Sequence, residues 1–160
     1  MKPCLIVDAN VSPLVREGKS GSVQRGRVER KFDYDDIKRG LSLSEGPCKD
    51  VVLSYGGRLA DELLRDAENR RWLTRLDEAG KARIADYEEV EAITRELIKR
   101  RACSSTDPHV VALACVSGSR ILCTNDEKLE NDFRNRSLVN PPGRIYANKR
   151  HNKLIRERCK

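Results

Sequence analysis

Three short, largely apolar runs constrain the fold of this 160-residue chain more than any other feature of its sequence. They cover residues 4–7, 51–54 and 120–124. A short continuous apolar run is typical of a strand that is buried on both faces, as in a parallel sheet. Because helical segments separate the runs, we predict an α/β fold, a three-layer α/β/α sandwich around a central parallel sheet of about four to five strands.

Helical periodicity is clearest in three segments. Residues 57–70 place leucines on one face. Residues 70–101 are long and charged, and Gly80 predicts a break into two helices. Residues 108–117 begin with a proline and are apolar nearly all round, which indicates a helix packed against the sheet. Asp107 precedes this helix as its expected N-cap.

The remaining segments are harder to assign. Residues 18–31 are basic and rich in Gly and Ser, without a hydrophobic period, and we expect a mobile surface loop. We also expect a helix to begin within residues 32–37 and an edge strand at 144–147. The length fits one domain over residues 1–147, with a basic and helical tail at 148–160 that belongs to the same domain.

The charge of the chain favours a polyanionic partner. Its net charge is +7 and its pI is near 9.2, and nucleic acid is the commonest partner of such proteins. The alternatives are that the basic residues only keep the protein in solution, or that residues 16–31 bind a partner protein and become ordered then. Aromatic residues make up only 4% of the chain, which argues against recognition of bases by stacking. The candidate nucleic-acid-binding residues are Arg16, Lys19, Arg25, Arg27, Arg30, Lys31, Lys149 and Arg150.

The cysteines and the hydropathy pattern indicate a cytoplasmic protein. The six cysteines include no C-x-x-C pair, and two histidines are too few to make a zinc site with them a reasonable expectation. No secretory leader is recognisable, and no apolar stretch approaches the roughly 20 residues of a membrane helix. We therefore expect reduced thiols, no membrane association and a cytoplasmic location.

Four carboxylates occupy positions from which they can meet at one edge of the sheet. Asp8 and Asp126 follow apolar strands, at the edge where open α/β sheets bind ligands. Asp107 begins a helix, and Glu62 lies in the helix after the second strand. Taken singly, Asp107 can be a cap, Asp126 a turn residue and Glu62 part of a solvated face. Asp8 resists such an explanation, because a carboxylate at the end of a buried strand is costly without a partner.

Gathered acids indicate a bound cation. They repel one another and stay ionised together only with a cation among them. Oxygen ligands suit Mg²⁺ or Mn²⁺. Such an ion activates water and neutralises the charge that develops on a phosphate, so no protein nucleophile is required.

The sequence resembles the PIN domain family over about residues 4–147. The matching segments, in the expected order and spacing, are LIVDANV, VLSYGGRLADELL and STDPHVVALACVSGSRILCTNDEKLENDF. The resemblance implies an α/β/α sandwich with Mg²⁺- or Mn²⁺-dependent endoribonuclease activity, RNA as the substrate and single-stranded DNA as a second candidate. By match to the family's motifs, it assigns the acids of the site to Asp8, Glu62, Asp107 and Asp126, and polar helper roles to Asn10 and Thr124.

Other features of the resemblance leave the biological role open. Ala9 stands where many members carry a hydroxyl residue, and Asp132 is either a further acid or a helix-surface residue. Many small bacterial members are toxins paired with an antitoxin, others process RNA, and some are inactive. An antitoxin protein and a second copy of the chain are therefore candidate partners.

Two other functional classes compete with the nuclease. One is a catalytically silent module of the same fold that binds nucleic acid or protein. The other is a receiver-like phosphoacceptor domain, which also uses acids at strand ends. That second class requires an acid pair before the first central Asp, and residues 1–7 contain no acid.

Overall fold

A central sheet of five parallel strands organises the chain, whose computed structural model describes residues 4–156. The strands lie in the order β5-β4-β1-β6-β7. β1 pairs with β4 on one side and β6 on the other, with Leu5 opposite both Leu53 and Ile121. The strands are β1 (Cys4–Val7), β4 (Val52–Tyr55), β5 (Ala82–Ile84), β6 (Ile121–Cys123) and β7 (Arg144–Ile145).

Eight α-helices accompany the sheet within the described part of the chain. Buried Leu, Ile and Val side chains of the strands and helices form one core. This arrangement confirms the predicted α/β sandwich and its parallel sheet. The helices are α1 (Ser12–Glu17), α2 (Asp35–Lys38), α3 (Gly57–Leu64), α4 (Ala67–Glu78), α5 (Tyr87–Lys99), α6 (Pro108–Ser117), α7 (Glu127–Arg134) and α8 (Asn152–Arg156). None of them is long and apolar enough to cross a membrane.

Residues 18–31 do not form a loop, and that prediction is wrong. They contain β2 (Ser20–Arg25) and most of β3 (Val28–Asp33), which pair as an antiparallel hairpin. Its two turn residues are Gly26 and Arg27, and Gly26 has φ of +59°, as the first position of a tight hairpin turn requires. Ion pairs connect the hairpin to α7. Arg25 and Arg30 both bind the buried carboxylate of Glu130 on α7.

Other element boundaries also differ from the predictions. Residues 57–70 form two helices, because the chain bends at residues 65–66 and Asp66 caps α4. Gly80 does end α4, but the short edge strand β5 follows it before α5 begins. Residues 32 and 33 belong to β3, so the next helix begins only at Asp35. Of these elements, β5 and α2 have only three and four residues, which is too short to produce a periodic pattern.

The segment after β7 is attached to the core by side-chain hydrogen bonds. Asn152 accepts a hydrogen bond from the Tyr146 hydroxyl and donates one to Asp36, both at 2.6 Å. The ring nitrogen Nδ1 of His151 accepts the backbone N–H of Ala147 at 3.0 Å. His151 therefore stabilises a short 3-10 turn, Lys149–His151, which leads into α8.

Candidate active site

The carboxyl ends of the neighbouring strands β1 and β6 form the base of the site. The Asp8 backbone N–H donates to the Cys123 carbonyl at 2.9 Å, which continues the pairing of the two strands. The Thr124 hydroxyl donates to Asp8 Oδ2 at 2.7 Å and accepts the Asp126 backbone N–H at 3.1 Å. Because the hydroxyl accepts one bond and donates the other, Thr124 fixes the orientation of the Asp8 carboxylate.

Asp8 lies in an environment that disfavours its negative charge. Its side chain is buried, with 4% of the residue exposed. The pKa of Asp8 is raised to about 6, chiefly by burial and further by the nearby charges of Asp107 and Glu62, against the lowering effect of the Thr124 hydrogen bond. Such an environment favours a bound cation, because a cation would restore the ionised carboxylate.

Asp107 stands at the start of α6 without capping it. Its side chain accepts no capping hydrogen bond, so the helix does not use its carboxylate. Asp132 on α7 binds the segment that precedes α6, since its carboxylate accepts the Ser104 and Ser105 backbone N–H groups at 2.9 Å each. The Ser105 hydroxyl in turn accepts the Asp107 backbone N–H at 3.3 Å. Asp132 therefore holds the segment that positions Asp107, which is a different role from that of a further acid.

Glu62 on α3 meets α6 at the same place. One carboxylate oxygen or ring nitrogen from each of Glu62, Asp107 and His109 lies within 4.8 Å of the others. Glu62 Oε1 is 2.8 Å from Nε2 of the buried His109. Sequence reasoning misses His109, because it considers the two histidines as partners of the cysteines in a zinc site. The Asp-x-His spacing in the first turn of α6 is the one signal that could have selected it.

Two of the predicted site residues stand apart from this group. Asp126 caps α7, accepting the backbone N–H groups of Lys128 and Leu129 at 3.0 and 3.3 Å through one carboxylate oxygen. Asn10 is exposed in the 3-10 turn that follows Asp8. The structure thus groups Glu62, Asp107 and His109, places Asp8 where the charges of Asp107 and Glu62 raise its pKa, and connects Asp126 to Asp8 through Thr124.

The donor atoms of the site fit a divalent cation. The carboxylates of Glu62 and Asp107 lie together, with Asp8 near enough to respond to their charges, and such oxygen atoms are the hard ligands that Mg²⁺ and Mn²⁺ accept. Asp8, Glu62 and Asp107 would hold the ion.

Most of the predicted nucleic-acid-binding residues line one cleft beside this site. The cleft has a volume of about 940 Å³ and lies between the β2–β3 hairpin, α7 and the segment after β7. It contains none of the four acids, but it reaches Glu127, the residue after Asp126. Its lining is mixed, since Glu29, Asp33 and Glu130 also contribute. The basic residues that line it are Arg25, Arg30, Lys31, Arg134, Lys149 and Arg150.

The other predicted basic residues lie elsewhere. Arg16 binds Asn69 and lies 3.5 Å from Asp66, which ties α1 to α4. Lys19 is exposed and pairs with Glu17 at 3.2 Å. Arg27 is exposed at the tip of the hairpin. Arg16 therefore has a structural partner, whereas Arg27 is available to a ligand.

Comparisons with known proteins give one similar solved structure. No protein-family model matches the chain, and no curated protein matches it. The chain is similar to VapBC2 from Rickettsia felis, which was crystallised bound to a DNA fragment from its own promoter. The two are 13% identical with a TM-score of 0.45, over 91% of this chain and 98% of the other.

Proposed function

We propose that this chain is a PIN-like endoribonuclease that hydrolyses RNA phosphodiester bonds with Mg²⁺ or Mn²⁺. The observation that supports this most is the meeting of Glu62 and Asp107, which come from distant parts of the sequence and whose charges also raise the pKa of the buried Asp8. Asp107 makes no capping bond and Asp8 is buried, so neither carboxylate is explained by the stability of the fold. The proposal extends the resemblance of the motifs around these residues to the PIN domain family.

The residues of the site have separable roles in this proposal. Asp8, Glu62 and Asp107 bind the metal, and Thr124 orients Asp8. When bound, a divalent ion lowers the pKa of a coordinated water and neutralises the charge of the phosphate. Asp126 caps α7 through one carboxylate oxygen at the same edge, and its other oxygen would be available to water. No step requires a nucleophilic side chain.

The basic cleft supports a phosphodiester polymer as the substrate. Its arginines and lysines are suited to phosphate groups on either side of the scissile bond. Arg25 and Arg30 already share Glu130, so exposed Lys31, Lys149 and Arg150 are the more effective contacts. We infer that binding weakens steeply as salt is added. RNA is proposed over single-stranded DNA on the resemblance alone, and so are an antitoxin partner and a homodimer. A cytoplasmic location is proposed from the cysteines and the hydropathy pattern.

A cleavage assay tests the proposal. Purified protein is incubated with mixed-sequence RNA and, separately, with single-stranded DNA, in Mn²⁺, Mg²⁺ or EDTA. We expect RNA cleavage with metal and none in EDTA. Glu62→Gln and Asp8→Asn should each lower the rate by at least about 100-fold, since each removes a ligand of the catalytic ion.

Asp61→Asn is the matched control for Glu62→Gln. Asp61 is the preceding residue on α3 and is exposed, and its carboxylate accepts a hydrogen bond from the Tyr87 hydroxyl at 3.3 Å. The Asp61→Asn variant should retain wild-type activity. Cleavage that persists in EDTA, or in Asp8→Asn, would refute the proposal. Salt-dependent RNA binding without cleavage under any of these conditions would instead favour the catalytically silent binding module.

A further inference from the structure

His109 is a buried polar side chain whose function the fold does not explain. Only 5% of the residue is exposed, and Nε2 has no hydrogen-bond partner among residues 4–156. Burial of a polar nitrogen without a hydrogen-bond partner is unfavourable, because the nitrogen loses its hydrogen bonds to water. The neighbours of His109 on α6 are the apolar Val110 and Val111, so an apolar residue would fit the same helix.

The contact between His109 and Glu62 is not an ordinary hydrogen bond. Nε2 lies 2.8 Å from Glu62 Oε1, but a proton on Nε2 would not point at that oxygen. An imidazolium that simply neutralised Glu62 would direct its N–H along the line between the two atoms. The contact therefore brings two donor atoms together without a proton placed between them.

This spacing is typical of two ligands of one ion. Two donor atoms that each lie about 2.1 Å from an ion, at about a right angle, are about 3 Å apart. Glu62 and His109 satisfy that condition, and Asp107 supplies a third donor within 4.8 Å. The Glu62 side chain is 31% exposed, which gives an ion a route from solvent.

We propose that His109 is a nitrogen ligand of the metal, through Nε2, so that the site combines three carboxylates with one imidazole. The proposal rests on the proposed function, because it names a further ligand of the same site. An imidazole favours transition metals over Mg²⁺, since Mg²⁺ strongly prefers oxygen ligands. The site therefore selects Mn²⁺ over Mg²⁺.

Electron spin-echo spectroscopy of bound Mn²⁺ tests the proposal without reference to cleavage. Coupling of the Mn²⁺ electron spin to ¹⁴N reports a directly bound imidazole. We expect this coupling in the wild-type protein, and its replacement by ¹⁵N coupling after labelling with [¹⁵N]histidine. His109→Leu should abolish the coupling. It should also weaken Mn²⁺ binding in calorimetry about tenfold or more, with a smaller effect on Mg²⁺.

His151→Gln is the matched control, because the chain has only two histidines. Nδ1 of His151 accepts backbone N–H groups in the turn before α8, so the variant should keep the coupling. If His109→Leu does not fold, the labelled wild-type protein and His151→Gln still assign the signal. Bound Mn²⁺ without histidine coupling, coupling that survives in His109→Leu, or no Mn²⁺ binding at all would each overturn the proposal.

The spectroscopic and cleavage results separate the two proposals. RNA cleavage by a protein whose bound Mn²⁺ has no histidine coupling would leave the nuclease intact and remove His109 from the metal. Histidine coupling in a protein that does not cleave RNA would refute the nuclease and keep His109 as a metal ligand.

Discussion

Replacing Asp8 by asparagine should stabilise the metal-free protein, and the gain should depend on pH. The asparagine side chain would keep an acceptor for the Thr124 hydroxyl but would carry no buried charge. The pKa of Asp8 rises from 3.8 to about 6 on folding, first because of burial and then because of Asp107 and Glu62. The folded wild type therefore binds the proton more tightly than the unfolded chain, and its stability falls as pH rises from about 4 to about 6.

The pKa of Asp8 shifts by roughly two units. At pH values above the folded-state pKa, this shift lowers the free energy of unfolding of the wild type by about 3 kcal/mol. In EDTA, Asp8→Asn should therefore exceed the wild type in free energy of unfolding by about 3 kcal/mol at pH 7.5 and by only about 1 kcal/mol at pH 4.5. Urea denaturation followed by circular dichroism measures both values. Saturating Mn²⁺ should reverse the order, because only the wild type keeps the full set of ligands.

Asp126→Asn is the control for this series. Asn caps a helix about as well as Asp, so its free energy of unfolding should stay within about 0.5 kcal/mol of the wild type. A difference between wild type and Asp8→Asn that is the same at both pH values would refute the reasoning. So would a variant that is less stable than the wild type at pH 7.5 in EDTA.

Two further predictions concern the elements around the site. Glu130→Gln should lower the free energy of unfolding by about 2–3 kcal/mol in urea denaturation, because the partly buried Arg25 and Arg30 lose their shared carboxylate; an effect below about 0.5 kcal/mol in low salt would contradict this. Asp132→Asn should cost about 1–3 kcal/mol at neutral pH, because one of the backbone N–H groups that Asp132 accepts, such as that of Ser105, loses its acceptor. Burial raises the pKa of Asp132, but the hydrogen bonds from Ser104 and Ser105 lower it overall. The difference in free energy of unfolding between the wild type and Asp132→Asn should therefore shrink as pH falls below the ordinary aspartate range. A difference that does not change with pH would refute this role of Asp132.

The main architecture follows from local sequence signals. The apolar runs around Leu5, Leu53 and Leu122 each become a buried parallel strand, because a run of successive apolar residues is stable only where both faces of the strand are buried. The apolar helix that follows Asp107 packs in the core for the same reason. The β2–β3 hairpin was not predictable in this way, since it has no hydrophobic period and Glu130, with which Arg25 and Arg30 pair, lies about 100 residues away.

The same distinction between local sequence signals and tertiary packing applies to the candidate site. The sequence by itself placed Asp8 at the end of a central strand and, with the resemblance, selected Glu62, Asp107 and Thr124. Only the tertiary structure could decide which of the acids meet, because that depends on how α3 and α6 pack beside β1. It uses Asp126 to cap α7, leaves Asp107 without a capping bond, and brings His109 against Glu62. A ring nitrogen becomes a candidate ligand only through what it faces, and that is a property of packing between distant segments, which local sequence does not encode.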